Sequence, residues 1–141
     1  MTLSDVPLPD SDGATGSKNG RGIRVLLAED DRAVRRLMEV LLERAGYEVI
    51  AASDGLEAMK LALSSPINLL ITDAMMPNLN GHELCRFMRN SETLSHIPII
   101  LLSALEKQGS DGQVQNADAF LTKPVSSESL IECIEKLLAR R

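Results

Sequence analysis

Acidic side chains directly follow two apolar runs in this sequence, a pattern that can bind a divalent metal ion. Asp73 comes after residues 69–72, and Glu29 and Asp30 come after residues 25–28. Carboxylates at the carboxyl ends of buried strands face the crevice in which open α/β sheets bind ligands. If both strands belong to one parallel sheet, three or four carboxylates, including that of Asp31, meet at one place, where only a cation makes their proximity favourable. The pattern predicts a divalent-metal site in which Asp73 is the candidate reactive group.

Five short apolar runs alternate with helical patterns and define the strands that must position these acids. The predicted strands cover residues 24–28, 48–51, 68–72, 98–102 and 119–121. Strands that alternate with helices form a parallel sheet covered on both faces. Right-handed crossovers then favour a doubly wound, flavodoxin-like α/β fold with strand order 2-1-3-4-5. In that order strands 1 and 3 are neighbours, which brings Glu29, Asp30 and Asp73 together.

Helix signals occur between these strands. An amphipathic pattern predicts a first helix over residues 32–45, which Gly46 ends. Two pairs with capping-box spacing predict the starts of the next two helices, namely Asp54 with Glu57 and Asn80 with Glu83. Ser126 or Ser127 begins the last helix. Residues 106–116, between strands 4 and 5, contain two glycines and a single apolar side chain, so we expect the fourth helix to be short, frayed or loop-like.

Composition excludes several classes of protein. The net charge of −5 argues against a nucleic-acid surface, which needs a basic patch. No apolar stretch approaches the roughly 20 residues of a membrane span, and no signal pattern begins the chain, so we expect a cytoplasmic protein. Residues 1–22 are polar and contain glycine and proline, which predicts a disordered tail or linker before a domain over residues 23–141. Cys85 and Cys133 lack metal-ligand spacing, so we expect reduced, packed thiols.

The motifs at the strand ends resemble the receiver domain of bacterial two-component response regulators, of the single-domain chemotaxis type. The matching sequences are Leu26-Leu27-Ala28-Glu29-Asp30-Asp31, Asp73-Ala74-Met75-Met76-Pro77 with Asn80-Gly81, Ser103-Ala104, and Lys123-Pro124. Each motif is weak alone, but four in this order at strand ends are a specific signal. The resemblance covers about residues 23–139, nearly everything except the tail.

The resemblance implies that Asp73 is a phosphoacceptor, which takes a phosphoryl group from the phosphohistidine of a histidine kinase or a histidine phosphotransfer protein. It also implies that Glu29, Asp30, Asp73 and the backbone carbonyl of Met75 bind Mg²⁺. Oxygen ligands of this kind are the ones that Mg²⁺ prefers. The ion would neutralise charge during in-line phosphoryl transfer.

The remaining roles implied by the resemblance concern the response to phosphorylation. Lys123 and Ser103 would contact the phosphoryl group, and Ser103 and Phe120 would act as the switch that changes position. Pro124 would form a tight turn after a cis peptide bond. A downstream protein would bind the face formed by the fourth helix, the fifth strand and the last helix, with no nucleic acid or membrane involved.

Alternatives remain for the individual residues. Taken alone, the acids at 29–31 fit a helix N-terminus, Asp73 fits a turn, and Lys123 fits a solvated surface charge. A cap or turn role for Ser103 stays competitive. His82 and His96 lack ligand spacing, which argues against a metal role for either.

Rival functions can be compared with the same residues. A haloacid-dehalogenase-type phosphohydrolase would need an aspartate two residues after the nucleophile, where this chain has Met75. A flavin carrier would need a phosphate-binding loop after strand 1, where the acids would repel a phosphate. A pseudo-receiver is a binding module that never takes phosphate. The presence of the complete set of residues, namely the acids after strand 1 with Asp73, Ser103 and Lys123, argues against it.

The chain stops directly after the last predicted helix, so we expect the signal to pass by protein contact. A receiver module cut from a larger hybrid kinase or multidomain regulator is an alternative origin. We expect no enzyme activity beyond slow self-dephosphorylation, because apolar side chains at Met75 and Leu105 hold the hydrolytic water poorly.

Overall fold

A computed structural model describes residues 22–104 and 116–140 of this chain. Five parallel strands form one sheet in the order β2-β1-β3-β4-β5. The strands are β1 (Arg24–Ala28), β2 (Glu48–Ala52), β3 (Leu69–Asp73), β4 (Ile99–Ser103) and β5 (Ala119–Thr122). The described helices are α1 (Arg32–Arg44), α2 (Gly55–Ser64), α3 (Gly81–Arg89) and α4 (Ser127–Ala139). The strand order confirms the predicted doubly wound, flavodoxin-like fold.

The helices cover both faces of the sheet, which explains why its central strands are continuously apolar. Along β1, the side chains of Val25 and Leu27 face one core cluster with residues of α1 and α4, whereas Leu26 and Ala28 face a second cluster with residues of α2 and α3. All four are fully buried. A strand that is buried on both faces needs apolar side chains at successive positions rather than at alternate ones.

A side-chain cap starts each described helix, and those of α2, α3 and α4 lie where the sequence indicates. Asp31, Asp54, Asn80 and Ser126 are the N-cap residues of α1 to α4. The capping box is complete at α3. At α2 the carboxylate of Glu57 instead accepts hydrogen bonds from the N–H and hydroxyl of Ser53, so the predicted box is only half formed there.

The observed element boundaries differ from the predicted ones by one residue at most. Both β3 and β4 begin and end one residue later than predicted, so Asp73 and Ser103 are the last residues of their strands rather than the first residues after them. Helix α1 ends at Arg44, and Gly46 follows in the left-handed region at φ 99°. Leu105 and nearly all residues of the predicted tail and of the predicted fourth helix lie outside the described residues.

Among residues 22–104 and 116–140, no helix is both long enough and apolar enough to cross a membrane. The longest described helices, α1 and α4, have 13 residues each. A bilayer span requires about 20 residues of predominantly apolar helix.

Candidate functional site

The register of the sheet brings the acids of two separate segments to one edge. Ala28 pairs with Thr72, so the next residues along each strand direction are Glu29 and Asp73. Asp73 is 6% exposed, and Glu29 is fully buried. The crevice at the carboxyl ends of β1 and β3 is therefore lined by carboxylates that are largely removed from water.

Three carboxylates lie close enough together in this crevice to share one metal ion. One oxygen from each of Glu29, Asp30 and Asp73 lies within 4.8 Å of the other two. Asp31, which the sequence also offered as a member, instead accepts the N–H of Val34 at 3.0 Å and caps α1. The helix N-terminus alternative is thus the observed role of Asp31, and the group contains three carboxylates rather than four.

Backbone contacts hold the Glu29 side chain in the crevice. Its Oε2 accepts the N–H of Asp31 at 3.0 Å, and its backbone carbonyl accepts a hydrogen bond from the guanidinium of Arg35 at 2.9 Å. Because both contacts come from the start of α1, the helix fixes the direction of the acid. The contact from Arg35 was not predicted, since nothing in the amphipathic pattern marks one arginine of α1 as different from the others.

The ammonium of Lys123 faces two of these acids. Lys123 Nζ lies 2.9 Å from Asp73 Oδ2 and 3.2 Å from Glu29 Oε1. Burial alone would lower the pKa of Lys123, but its hydrogen bond to Asp73 and the charges of Asp73 and Glu29 together raise that pKa. The lysine is therefore held as a cation. Lys123 is therefore not the solvated surface charge that its sequence alone would allow, since its side chain is only 24% exposed.

The donor set fits a small divalent cation. Glu29 Oε1 is buried and accepts no hydrogen bond within the described part of the chain, since Lys123 approaches it at ion-pair distance but not in hydrogen-bond geometry. Burial raises the pKa of the Glu29 carboxyl, and the neighbouring charge of Asp73 adds to this effect. Mg²⁺ prefers oxygen ligands in a compact octahedron, and the three carboxylate oxygens here lie within 4.8 Å of one another. A bound Mg²⁺ would satisfy the orphaned oxygen and stabilise the ionised form of Glu29.

The structure places the other predicted site residues at different distances from this edge. Ser103 ends β4, next to the Asp73–Leu102 pair of the register, and its carbonyl accepts the N–H of Lys123 at 2.7 Å. The Lys123–Pro124 peptide bond is cis. Phe120 lies further down the sheet, paired with Leu101, and is half-buried against the core.

Met75 lies at the mouth of the crevice, two residues after Asp73. Its side chain is 72% exposed, and its backbone N–H points to Asp73 Oδ1 at 3.5 Å, a distance that gives at most a weak hydrogen bond. An exposed, apolar side chain therefore lies two residues after Asp73.

Sequence reasoning missed a hydrogen bond that supports this loop. Asn78 Nδ2 donates to Asp54 Oδ2 at 2.9 Å. Both residues have turn-forming side chains, but no periodic pattern connects two loops of different strands. His82 and His96 are absent from the three-carboxylate group, which is the possible metal-ligand set in residues 22–104 and 116–140.

Comparison with known proteins gives the class of protein that this fold and site define. A family model described as the response regulator receiver domain matches residues 25–135. The chain belongs to that family. It is therefore a signalling domain of the two-component type, with a role in phosphoacceptor signalling. Domains of this family interact with histidine kinases or phosphotransfer proteins and bind Mg²⁺ at an acidic pocket.

Individual relatives agree with this assignment. Protein PilG of Pseudomonas aeruginosa is 34% identical over 118 residues, which are 81% of this chain and 86% of PilG. RpaA of Synechocystis, a DNA-binding dual master transcriptional regulator, is 34% identical over 125 residues, which are 83% of this chain but 49% of RpaA. This chain thus spans most of one relative and about half of the other.

A solved structure shows the same architecture with ligands bound. The response regulator TrrA of Thermotoga maritima, in complex with Mg²⁺ and BeF, superimposes with a TM-score of 0.76 at 32% identity. The match covers 82% of this chain and 98% of TrrA. That relative was solved in complex with Mg²⁺ and BeF, so a receiver of this architecture binds magnesium.

Proposed function

We propose that this chain is a phosphoacceptor switch in which Asp73 takes a phosphoryl group from the phosphohistidine of a histidine kinase or a histidine phosphotransfer protein. The geometry around Asp73 carries the proposal. Its carboxylate lies 2.9 Å from the Lys123 ammonium and belongs to a group of three carboxylates with oxygens within 4.8 Å of one another. A nucleophilic carboxylate, a fixed cation and a set of metal ligands are the parts that this transfer requires.

In the transfer, an oxygen of the Asp73 carboxylate forms a bond to phosphorus while the phosphorus–nitrogen bond of the donor histidine breaks. The leaving nitrogen keeps the electron pair of that bond as a lone pair, and with the proton already on the other ring nitrogen the donor histidine leaves as a neutral imidazole. Glu29, Asp30, Asp73 and the backbone carbonyl of Met75 would hold Mg²⁺, which supplies positive charge against the transferring phosphoryl group. The product is an acyl phosphate on Asp73.

Lys123 and Ser103 would then recognise the phosphoryl group. The ammonium that contacts Asp73 Oδ2 before transfer is positioned to pair with a phosphoryl oxygen afterwards. Ser103, at the end of the neighbouring strand β4, would donate its hydroxyl. A phosphoryl group adds a charge of about −1.5 to −2, which is enough to bias a two-state arrangement in which Ser103 and Phe120 change position.

Partner binding would follow from that change. We place the partner surface on the segment between β4 and β5, strand β5 and helix α4, and we expect a protein partner in the cytoplasm rather than nucleic acid or membrane. The exposed, apolar Met75 side chain supports slow self-dephosphorylation, because it offers no hydrogen bond to a hydrolytic water.

One alternative concerns the protein of which this domain is part. RpaA extends well beyond the matched region, since only 49% of it is covered. A receiver within a longer regulator or hybrid kinase, with residues 1–22 as a linker, would carry the same chemistry at Asp73. Its output would then pass to another domain of the same protein.

The test is incubation with acetyl phosphate and Mg²⁺ followed by intact-mass measurement. We expect the mass of one phosphoryl group to be added to the wild type, and no addition to Asp73→Asn or to the wild type with a chelator. Asp118→Asn is a suitable control, because Asp118 belongs to a different ion pair, with Arg89. A wild type that gains no mass would show a pseudo-receiver instead.

A further inference from the structure

The loop that follows β3 is attached to the start of α2 by a hydrogen bond between residues 24 positions apart, from Asn78 Nδ2 to Asp54 Oδ2 at 2.9 Å. The other carboxylate oxygen of Asp54 accepts the N–H of Glu57 at 2.8 Å and caps α2. Both contacts lower the pKa of the Asp54 carboxyl, with the cap as the larger cause. Asp54 therefore caps α2 and also holds the loop that follows β3.

The backbone of the loop depends on support at this point. Asn78 has φ 70° and is the single non-glycine residue with a positive φ among those the structure describes. This left-handed conformation costs most residues roughly 1–2 kcal/mol, and asparagine tolerates it best. Next to Asn78, the carbonyl oxygen of Leu79 approaches Gly55 so closely that a Cβ there would lie 1.8 Å from it. A side-chain bond and a backbone contact thus join the two loops at neighbouring positions.

The other end of the same loop is fixed at the phosphoacceptor. The N–H of Gly81 donates to the carbonyl of Ala74 at 2.9 Å. A Cβ on Gly81 would lie 2.1 Å from the carbonyl oxygen of Asp73. Met75 lies between the two anchors, so the position of its backbone is set by Asp73 on one side and by the Asp54–Asn78 bond on the other.

We propose that Asp54 and Asn78 are positioning residues for the metal site, which hold the loop after β3 so that the backbone carbonyl of Met75 is available to Mg²⁺. The inference rests on the proposed function, in which that carbonyl is a ligand. Neither residue belongs to the three-carboxylate group, so both act through the loop. Because Mg²⁺ demands nearly ideal octahedral geometry, a looser loop lowers the affinity even when every carboxylate is intact.

Two variants remove the bond while they retain the local backbone. Asn78→Gly keeps access to a positive φ but loses the donor. Asp54→Ser keeps a good N-cap for α2, but its single hydroxyl cannot also serve Asn78 as the second carboxylate oxygen does. Ser126→Ala is the matched control, because it removes the N-cap of α4, which packs in the other core cluster from Met76 and Leu79 of this loop, and it costs stability.

The readouts are the Mg²⁺ dissociation constant from calorimetry, the rate of phosphorylation by acetyl phosphate, and the melting temperature. We expect Asn78→Gly and Asp54→Ser each to weaken Mg²⁺ binding roughly 3- to 10-fold, the range of one net hydrogen bond. The double variant should be no weaker than either single variant, because both remove the same bond. Ser126→Ala should lower the melting temperature and leave the dissociation constant unchanged.

Two results would overturn the inference alone: a dissociation constant in Asn78→Gly equal to that of a wild type that binds Mg²⁺, or losses in the two single variants that multiply in the double variant. An equal loss of affinity in Ser126→Ala would also overturn it, since the effect would then reflect global stability. A wild type that does not bind Mg²⁺ at all would remove the proposed function and this inference with it.

Discussion

At the scale of single residues, Lys123 offsets only part of the negative charge of the crevice. Lys123 lies within 3.2 Å of oxygens from both Glu29 and Asp73, and its side chain is 24% exposed. Two partly or fully buried carboxylates that share one cation leave net negative charge in a poorly solvated place. This imbalance favours a second cation, and it makes the protein sensitive to the loss of the first.

We expect Lys123→Met to lower the free energy of unfolding by about 1–3 kcal/mol when Mg²⁺ is chelated, because two facing carboxylates are left without their cation. Saturating Mg²⁺ should recover much of this loss and should stabilise the variant more than the wild type. Urea unfolding with chelator and with Mg²⁺ measures both effects. Lys136→Met is the control, since its ion pair with Glu132 is exposed at the surface. If Mg²⁺ stabilised Lys123→Met and the wild type equally, the idea that Mg²⁺ replaces the missing cation would be refuted.

The sequence placed the right acids together but left their partners open. Glu29, Asp30 and Asp73 were expected to meet because each follows an apolar run, and the strand order makes those runs neighbours. Asp31 could not be separated from this group, since its role as a cap depends on the direction of α1. The Asp54–Asn78 bond could not be predicted, because two loops far apart in the chain are joined only by packing of the elements.

At the scale of elements, the start of α3 lies so close to the end of β3 that residue 81 must be a glycine. In a helix, glycine is about 1 kcal/mol less favourable than alanine, so propensity alone would make Gly81→Ala stabilising. The predicted contact of its Cβ with the Asp73 carbonyl at 2.1 Å outweighs this gain. The atom in contact is a backbone oxygen of β3, which cannot move aside as the end of a flexible side chain could.

We therefore expect Gly81→Ala to lower the melting temperature by several degrees, corresponding to about 1–3 kcal/mol, and to reduce the phosphorylation rate because Asp73 must shift. Ser127→Ala is the matched control, since Ser127 is the first residue of α4, as Gly81 is of α3, and is exposed. Thermal unfolding by circular dichroism measures the difference. A Gly81→Ala protein as stable as Ser127→Ala would mean that the two elements are not in rigid contact.

The positions of the strands were predictable because a strand that is buried on both faces appears in the sequence as a run of apolar residues. The runs that became β1, β3 and β4 are continuously apolar, and their predicted bounds were shifted by no more than one residue. The N-caps of α2, α3 and α4 were predictable because their side-chain types are specific to helix starts. The half-formed box at α2 was not, since Glu57 can reach either Ser53 or Asp54 and the turn geometry decides between them.

At the scale of the whole molecule, the sheet separates two apolar clusters, and Cys85 lies inside one of them. The thiol is 1% exposed, and burial raises its pKa to about 12. An acid whose pKa is raised on folding keeps its proton in the folded state. This contribution therefore weakens stability as pH rises above the ordinary thiol value of 9.0.

We expect Cys85 in the Cys133→Ser variant to react with a thiol reagent far more slowly than Cys133 does in Cys85→Ser, because the buried thiol keeps its proton and becomes accessible only when the protein opens. Urea should accelerate the reaction in parallel with unfolding. The complementary variant Cys85→Ser retains the half-buried Cys133 and serves as the comparison. Rapid modification of Cys85 under native conditions would contradict a closed core between β3 and α3.

The central claim is that Asp73 receives the phosphoryl group, and locating the group within the chain tests it most directly. Borohydride reduces an acyl phosphate of aspartate to homoserine, a change of residue mass that peptide sequencing by mass spectrometry can assign. After treatment with acetyl phosphate and Mg²⁺, we expect this change at residue 73 alone. The same change at Asp30 or Asp31, or its absence from a protein that binds Mg²⁺, would contradict the account.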